Sequence, residues 1–342
     1  MIIAAKPSTL TVVVSRGQSR NPQKRKLEQA IADASAKIEG VEVLVIPHLY
    51  DLPKSSESFA SLKAITGDIV LVSWIYARAA HWVLDRNGIG GQVGDVELAA
   101  DDDSEDDEDG DVESATDESS EPVDRVTDIN PRPDRNIYGL DLKLGENSDL
   151  FVSEIRRIAG QEIPPSIERG VNSDHELPIV GGKLVQVDEK TSRRWYPVID
   201  FDRCTNCMEC VDFCLFGVYG LDYGENILVE QPDNCRKGCP ACSRVCPENA
   251  IIFPQHKAPA IAGAHVEGEE GFKIDLSLLF GAPATDGDPI ATAARERDEQ
   301  LLLSGREAVG IDDQLAKRQA DLKAEPKDDL DHLIDSLDDF DL

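Results

Sequence analysis

The chain has 342 residues, room for two ordinary domains with material left over. Its 66 acidic and 35 basic residues give a formal charge of −31. Most of that excess sits in two tracts: Asp95–Asp128 holds 17 acidic residues against one basic, and Asp321–Leu342 nine against two. The remainder is only mildly acidic, which argues against a nucleic-acid-binding role, since phosphate contacts need a basic surface.

No run of eighteen apolar residues occurs; the best stretch, Ile69–Leu84, is interrupted by Ser73, Arg78 and His81. No membrane insertion is therefore expected. Met1–Pro7 lacks a basic n-region and a long apolar h-region, so the expectation is a cytoplasmic protein without a signal peptide.

Residues 8–94 predict alternating strands and helices. Thr9–Ser15 is a β-branched run bounded by Gly17, as a buried strand requires. Asn21-Pro22 opens a helix with Leu27, Ile31, Ala34 and Ile38 on one face, closed by Gly40. Val41–Ile46 is a second strand, Ser55–Ile65 a second helix, Asp68–Trp74 a third strand and Ala77–Asp85 a third helix. The β-α-β-α-β-α order calls for a parallel sheet, flavodoxin-like or a similar three-layer α/β arrangement.

The turn after the first strand admits two readings. Ser15, Gly17 and Ser19 form a Gly/Ser loop ahead of a helix N-terminus, with Arg16, Arg20, Lys24, Arg25 and Lys26 around it. That arrangement resembles in outline the FMN-phosphate loop of flavodoxins, which would make these three residues a cofactor site for FMN or a nucleotide. The pattern is incomplete, and the favoured reading is a solvated basic helix face. Asn87–Gly91 follows a helix and reads as a stop and turn.

Asp101–Gly110 is almost purely acidic and is expected to be disordered, because it has no apolar surface to bury. Beyond it, Asn136–Leu144 predicts another strand and Leu150–Ala159 another helix of the same sheet, which makes the tract at about 95–134 an insertion into a domain spanning 8–160. Residues 161–194 read as a linker, with a strand at Lys183–Val187.

All eight cysteines lie between Cys204 and Cys246, a dense block that points to metal and not to disulfides. The first run is Cys204-x2-Cys207-x2-Cys210-x3-Cys214; the second is Cys235-x3-Cys239-x2-Cys242-x3-Cys246-Pro247. Two residues between thiolates let a tight loop wrap three corners of one iron–sulfur cube. The fourth cysteine, a helical turn further on, reaches a second cube. Cys204, Cys207 and Cys210 thus pair with Cys246, and Cys235, Cys239 and Cys242 with Cys214. Zinc would use two separated C-x2-C pairs with longer gaps.

Residues 195–256 resemble the bacterial dicluster ferredoxins. The resemblance implies two [4Fe-4S] clusters in a small pseudo-symmetric α+β fold. Val198-Ile199-Asp200 and Glu248-Asn249-Ala250-Ile251 fit its flanking strands. Two departures stand out. The second run has one extra residue before Cys239, which Gly238 can absorb at positive φ, and Leu215 replaces the usual proline.

Residues 257–342 read as a largely extended or disordered acidic tail with short helices, among them Arg295–Leu303 and Gln314–Leu322. In Lys327–Leu342, residues Leu330, Leu333, Ile334, Leu337 and Phe340 build one apolar stripe on an otherwise acidic helix. It is expected to dock on a redox partner or on this protein's own N-terminal domain. The leading functional expectation is an electron-transfer protein or subunit. The rivals are an enzyme whose α/β domain binds a flavin or nucleotide, and a binding protein with structural clusters.

Overall fold

The computed structural model describes residues 10–98, 125–126, 132–161, 183–264 and 289–310. Most of the acidic insertion and both helices expected beyond residue 310 lie outside the described residues.

Six parallel strands form one sheet: β1 Leu10–Ser15, β2 Val41–Ile46, β3 Ile69–Ser73, β4 Gln92–Val93, β5 Asn136–Asp141 and β6 Leu184–Gln186, in the order β4-β5-β3-β1-β2-β6. Every residue of β1 and β3 is buried, as a parallel sheet covered on both faces demands. Val12, Val14, Val70 and Val72 face α1 (Pro22–Ser35) and α4 (Ser148–Ile158). Val13, Ile69 and Leu71 face α2 (Glu57–Lys63) and α3 (Ala77–Arg86). The result is a three-layer, doubly wound α/β domain.

Local chemistry sets the ends of these elements. The Asn21 carboxamide accepts from Gln23 N–H at 2.9 Å and Pro22 occupies the first turn, so α1 starts there. Helix α2 is shorter than its apolar pattern predicts because the Ser56 hydroxyl caps it, accepting from Phe59 N–H at 3.0 Å. The strand predicted over 136–144 stops at Asp141, whose carboxylate accepts from Lys143 N–H at 3.0 Å and turns the chain into a 3-10 turn. β4 and β5, which flank the acidic tract, pair with each other. The strand expected at Lys183–Val187 within the linker forms over Leu184–Gln186 and adds a parallel edge strand beside β2.

The cysteine block forms a second, smaller unit. β7 (Val198–Ile199) pairs antiparallel with β10 (Ile251–Ile252), and β8 (Tyr219–Leu221) forms a hairpin with β9 (Ile227–Val229). One-turn helices α5 (Glu209–Phe213) and α6 (Ala241–Val245) follow the two cysteine loops, and α7 (Pro259–Ala262) and α8 (Pro289–Leu303) come after. Among the described residues, no helix is long and apolar enough to cross a membrane.

The two units share a core. Tyr196, Val198 and Ile252 are buried with Tyr50, Trp82 and Ile75 in one apolar cluster. The rings of Tyr50 and Tyr196 stack at 4.3 Å, and Tyr196 N–H donates to the Tyr50 hydroxyl at 2.7 Å. From α3, Arg78 Nε donates to Asp200 Oδ2 at 2.5 Å and its guanidinium to Asn249 O at 2.7 Å.

His81, on the same helix, is 4% exposed, and among the described residues neither ring nitrogen has a hydrogen-bond partner. Burial, aided by the Arg132 charge, depresses its pKa to about 4. The unfolded chain binds a proton near pH 6.5 that the folded chain refuses until about pH 4. Stability from this residue is therefore intact above pH 6.5 and drains away as pH falls toward 4. Urea midpoints at pH 7 and pH 4.5 should show His81→Leu losing less stability than the wild type, by up to roughly 3 kcal/mol. Equal losses in both proteins would remove His81 from the acid response.

Candidate metal centre

The first cysteine loop is anchored at its start, where Cys204 N–H donates to Asp200 O at 2.9 Å. Asn206 and Met208 adopt the left-handed region, with φ of 58° and 66°. Asparagine tolerates this conformation; methionine does so only where surrounding structure imposes it. Such alternation turns backbone N–H groups toward one point, an arrangement suited to an anionic group. The Asn206 N–H reaches the Cys204 thiol. Asn206 is held by its own side chain, whose Nδ2 donates to Glu225 O at 2.8 Å and whose Oδ1 accepts from Ile227 N–H at 2.9 Å.

In the second loop, the additional residue of the C-x3-C spacing is taken up as anticipated: Gly238 has φ of 91°, and Cys239 N–H donates to Arg236 O at 3.0 Å. A side chain there would meet open space, so glycine is favoured by the dihedral alone. The Cys246 thiol accepts from Ala250 N–H at 3.2 Å, with the Glu248 and Ile251 amides also directed at it.

The thiols gather in two fours. Cys204, Cys207 and Cys210 have Cys246 as their neighbour, and Cys235, Cys239 and Cys242 have Cys214. The last cysteine of each run thus stands with the first three of the other. Burial pushes the Cys204 and Cys239 thiols up to about 11, and those of Cys210, Cys235 and Cys242 higher. Without a bound cation they are protonated at neutral pH, so binding metal must release protons.

The second four lines a small, apolar space together with Phe213, Phe216, Val218, Tyr219 and Arg297. The Tyr219 hydroxyl is buried there within hydrogen-bonding reach of the Cys242 thiol. Among the described residues, no three His, Cys, Asp or Glu groups converge tightly enough for a single ion. Four thiols, an apolar wall, inward amides and a hydroxyl beside sulfur fit an iron–sulfur group.

The Ser15, Gly17 and Ser19 loop is engaged otherwise. Gly17 N–H and Trp74 Nε1 both donate to Glu28 Oε1 at 2.8 Å, and Arg25 pairs with Glu28 Oε2 at 3.0 Å. The Ser15 hydroxyl accepts from Leu49 N–H at 2.9 Å, and Ser19 Oγ from Asn21 N–H at 3.1 Å. Glu28, 4% exposed, sits as an internal anion where a phosphate would need to accept. Sequence reasoning overlooked it, although a glutamate directly after Leu27 on the inner stripe was the signal.

Comparison with known proteins bears on the same block. A 59-residue match is 38% identical to a ferredoxin of Methanothermococcus thermolithotrophicus and covers 95% of that protein. A 70-residue match is 34% identical to the pyruvate synthase subunit PorD of Methanocaldococcus jannaschii, covering 79% of it. Through this segment the chain belongs to the ferredoxin family. The matched ferredoxin segment is about a fifth of the chain. An uncharacterised ferredoxin of M. jannaschii is 50% identical over 66 residues, which span 44% of that relative's length. No family model matches the chain, and no solved structure does.

The short helix expected at Arg295–Leu303, in a tail read as largely extended or disordered, runs over Pro289–Leu303 and packs beside the ferredoxin domain. α8 packs Ala293 and Ala294 against Phe213, Cys239 and Ala241, and Glu296 pairs with Arg244 at 2.8 Å. Its small buried residues were the legible signal; their target among the cysteines was not.

Proposed function

We propose that the ferredoxin domain holds two [4Fe-4S] clusters, one on Cys204, Cys207, Cys210 and Cys246, the other on Cys235, Cys239, Cys242 and Cys214. The chain then exchanges low-potential electrons, one at a time, with a redox partner protein. The observation that carries this reading is the crossed grouping of the thiols into two fours. Ferredoxin relatives support the iron–sulfur electron-transfer role, and the PorD relative, named as a subunit of a synthase, favours work within a larger redox assembly.

A [4Fe-4S] cluster, when bound, accepts and releases single electrons. The chain supplies thiolates, amides from Ala250 and Asn206 that favour negative charge on sulfur, and apolar walls that exclude water. The alternative, a flavin or nucleotide on the N-terminal domain, has the Glu28 carboxylate against it, since a second anion at Gly17 N–H would be repelled. Lys327–Leu342 is retained as a candidate partner contact on its sequence pattern alone.

Anaerobic reconstitution should give about eight irons and eight acid-labile sulfides per chain. Full reduction should give the EPR signature of two interacting spins, because interlocked ligands force the clusters close together. Bound zinc without sulfide, or one isolated spin system at full iron content, would overturn the reading.

A further inference from the structure

The two cysteine sets differ in how the rest of the chain covers them. α8 lies across the second set only. Arg297, 6% exposed, stacks its guanidinium carbon 4.4 Å from the Phe213 ring and lines the space framed by Cys214, Cys235, Cys239 and Cys242. Beyond the helix, Arg306 reaches back to Leu215 O at 2.9 Å, closing the other side of the α5 turn.

The first set is covered by Val126, which is 5% exposed, packs with Cys204 and Cys210 and donates its N–H to Cys204 O at 3.1 Å, and not by α8. Cys207 is exposed, alone among the eight cysteines. Asn206 ties its loop to the β8–β9 hairpin, whose tip presents Leu221 at 51% exposure and a fully exposed Tyr223. Exposed carboxylates of Asp212, Asp222 and Glu225 lie on the same loop, helix and hairpin. Electron exchange between proteins falls steeply with distance, so the set with the exposed Cys207 is the one a partner can approach.

We infer that this chain has a single exchange face, formed by the Cys207 loop and the Leu221–Tyr223 hairpin tip. It receives a one-electron redox protein whose contact surface is apolar at its centre and rimmed by lysine or arginine. α8 seals the second set, so its electrons pass in and out through the first. One electron moves per encounter, lost by the reduced member and gained by the oxidised one. This inference rests on the two-cluster reading above.

The test uses the full chain after reconstitution. Iron and sulfide content is measured first: a chain that holds no iron–sulfur group fails the two-cluster reading, whereas the outcomes below bear on the exchange face. Iron is then withdrawn with 2,2′-bipyridyl. Two phases of equal amplitude are expected, the slower by roughly tenfold or more. Ala294→Gln, which cannot pack on Phe213 and Cys239, should speed the slow phase. Glu296→Gln, which loosens the pair with Arg244, should do so more weakly and serves if the first variant fails to fold. A single phase in the intact chain, or a slow phase unchanged in both variants, overturns the seal.

For the face, electron exchange is measured on a polylysine-coated electrode as a mimic of the basic rim. Tyr223→Lys/Glu225→Lys should slow it about tenfold or more. Glu39→Lys/Glu42→Lys, an equal or larger charge change on exposed residues of the α/β domain, should leave it nearly unchanged. Equal slowing by both pairs would mean that net charge alone governs exchange, and the face would be lost.

Discussion

Replacing Cys214 with serine is expected to strip iron from the set that contains Cys235, Cys239 and Cys242, and to spare the set adjacent to it in sequence. The reason lies in the turn of helix between Cys210 and Cys214. Cys210 points to one side with Cys204 and Cys207, and Cys214 emerges one turn later, next to Cys235, Cys239 and Cys242. Iron and sulfide per chain should fall by about half, and the interacting EPR signal should collapse to that of one isolated spin. Retention of the second set with loss of the first would refute the crossed arrangement. The buried thiols left behind, raised well above their ordinary range, would remain protonated and make poor substitutes at neutral pH.

The second large effect concerns the junction between the two units. Arg78 is the partner of Asp200, whose side chain is 4% exposed and whose backbone carbonyl anchors the Cys204 loop. Arg78→Met keeps most of the side-chain volume but leaves a buried carboxylate without its close cation; Arg203 stands 3.8 Å away and compensates only in part. Removal of one member of a buried pair costs about 3–5 kcal/mol. The melting temperature should drop by roughly 6–15 °C for units of this size. The double variant Arg78→Met/Asp200→Asn should recover much of the loss, because the uncompensated charge is then gone. A double variant no better than the single one would show that packing, not charge, is what Arg78 supplies.

How legible these features were in advance depends on the range of the physics behind them. Thr9–Ser15 is β-branched and unbroken, and it forms a fully buried strand because backbone preference and burial point the same way. The Cys204–Cys214 and Cys235–Cys246 spacings encode loop size directly, and loop size is a local property. Gly238 was readable for the same reason: one surplus residue in a tight loop needs positive φ, and glycine adopts it without a side-chain clash. Element ends were less so. Ser56 shortens α2 and Asp141 ends β5 through single hydrogen bonds that compete with the apolar periodicity.

The sequence by itself determined the class of this protein: a parallel α/β unit, a ferredoxin domain, and thiols spaced to wrap iron–sulfur corners. All of these follow from residue periodicity and from ligand spacing within a dozen positions. Only the tertiary structure decided that Glu28 fills the loop after β1, that residues 184–186 complete the sheet, that Arg78 bolts the two units together, and that α8 covers one cysteine set and leaves Cys207 open. Each of these joins residues far apart in the chain. A contact of that kind is set by which surfaces have apolar area and charge left to satisfy once the local elements have formed, and no local pattern records it.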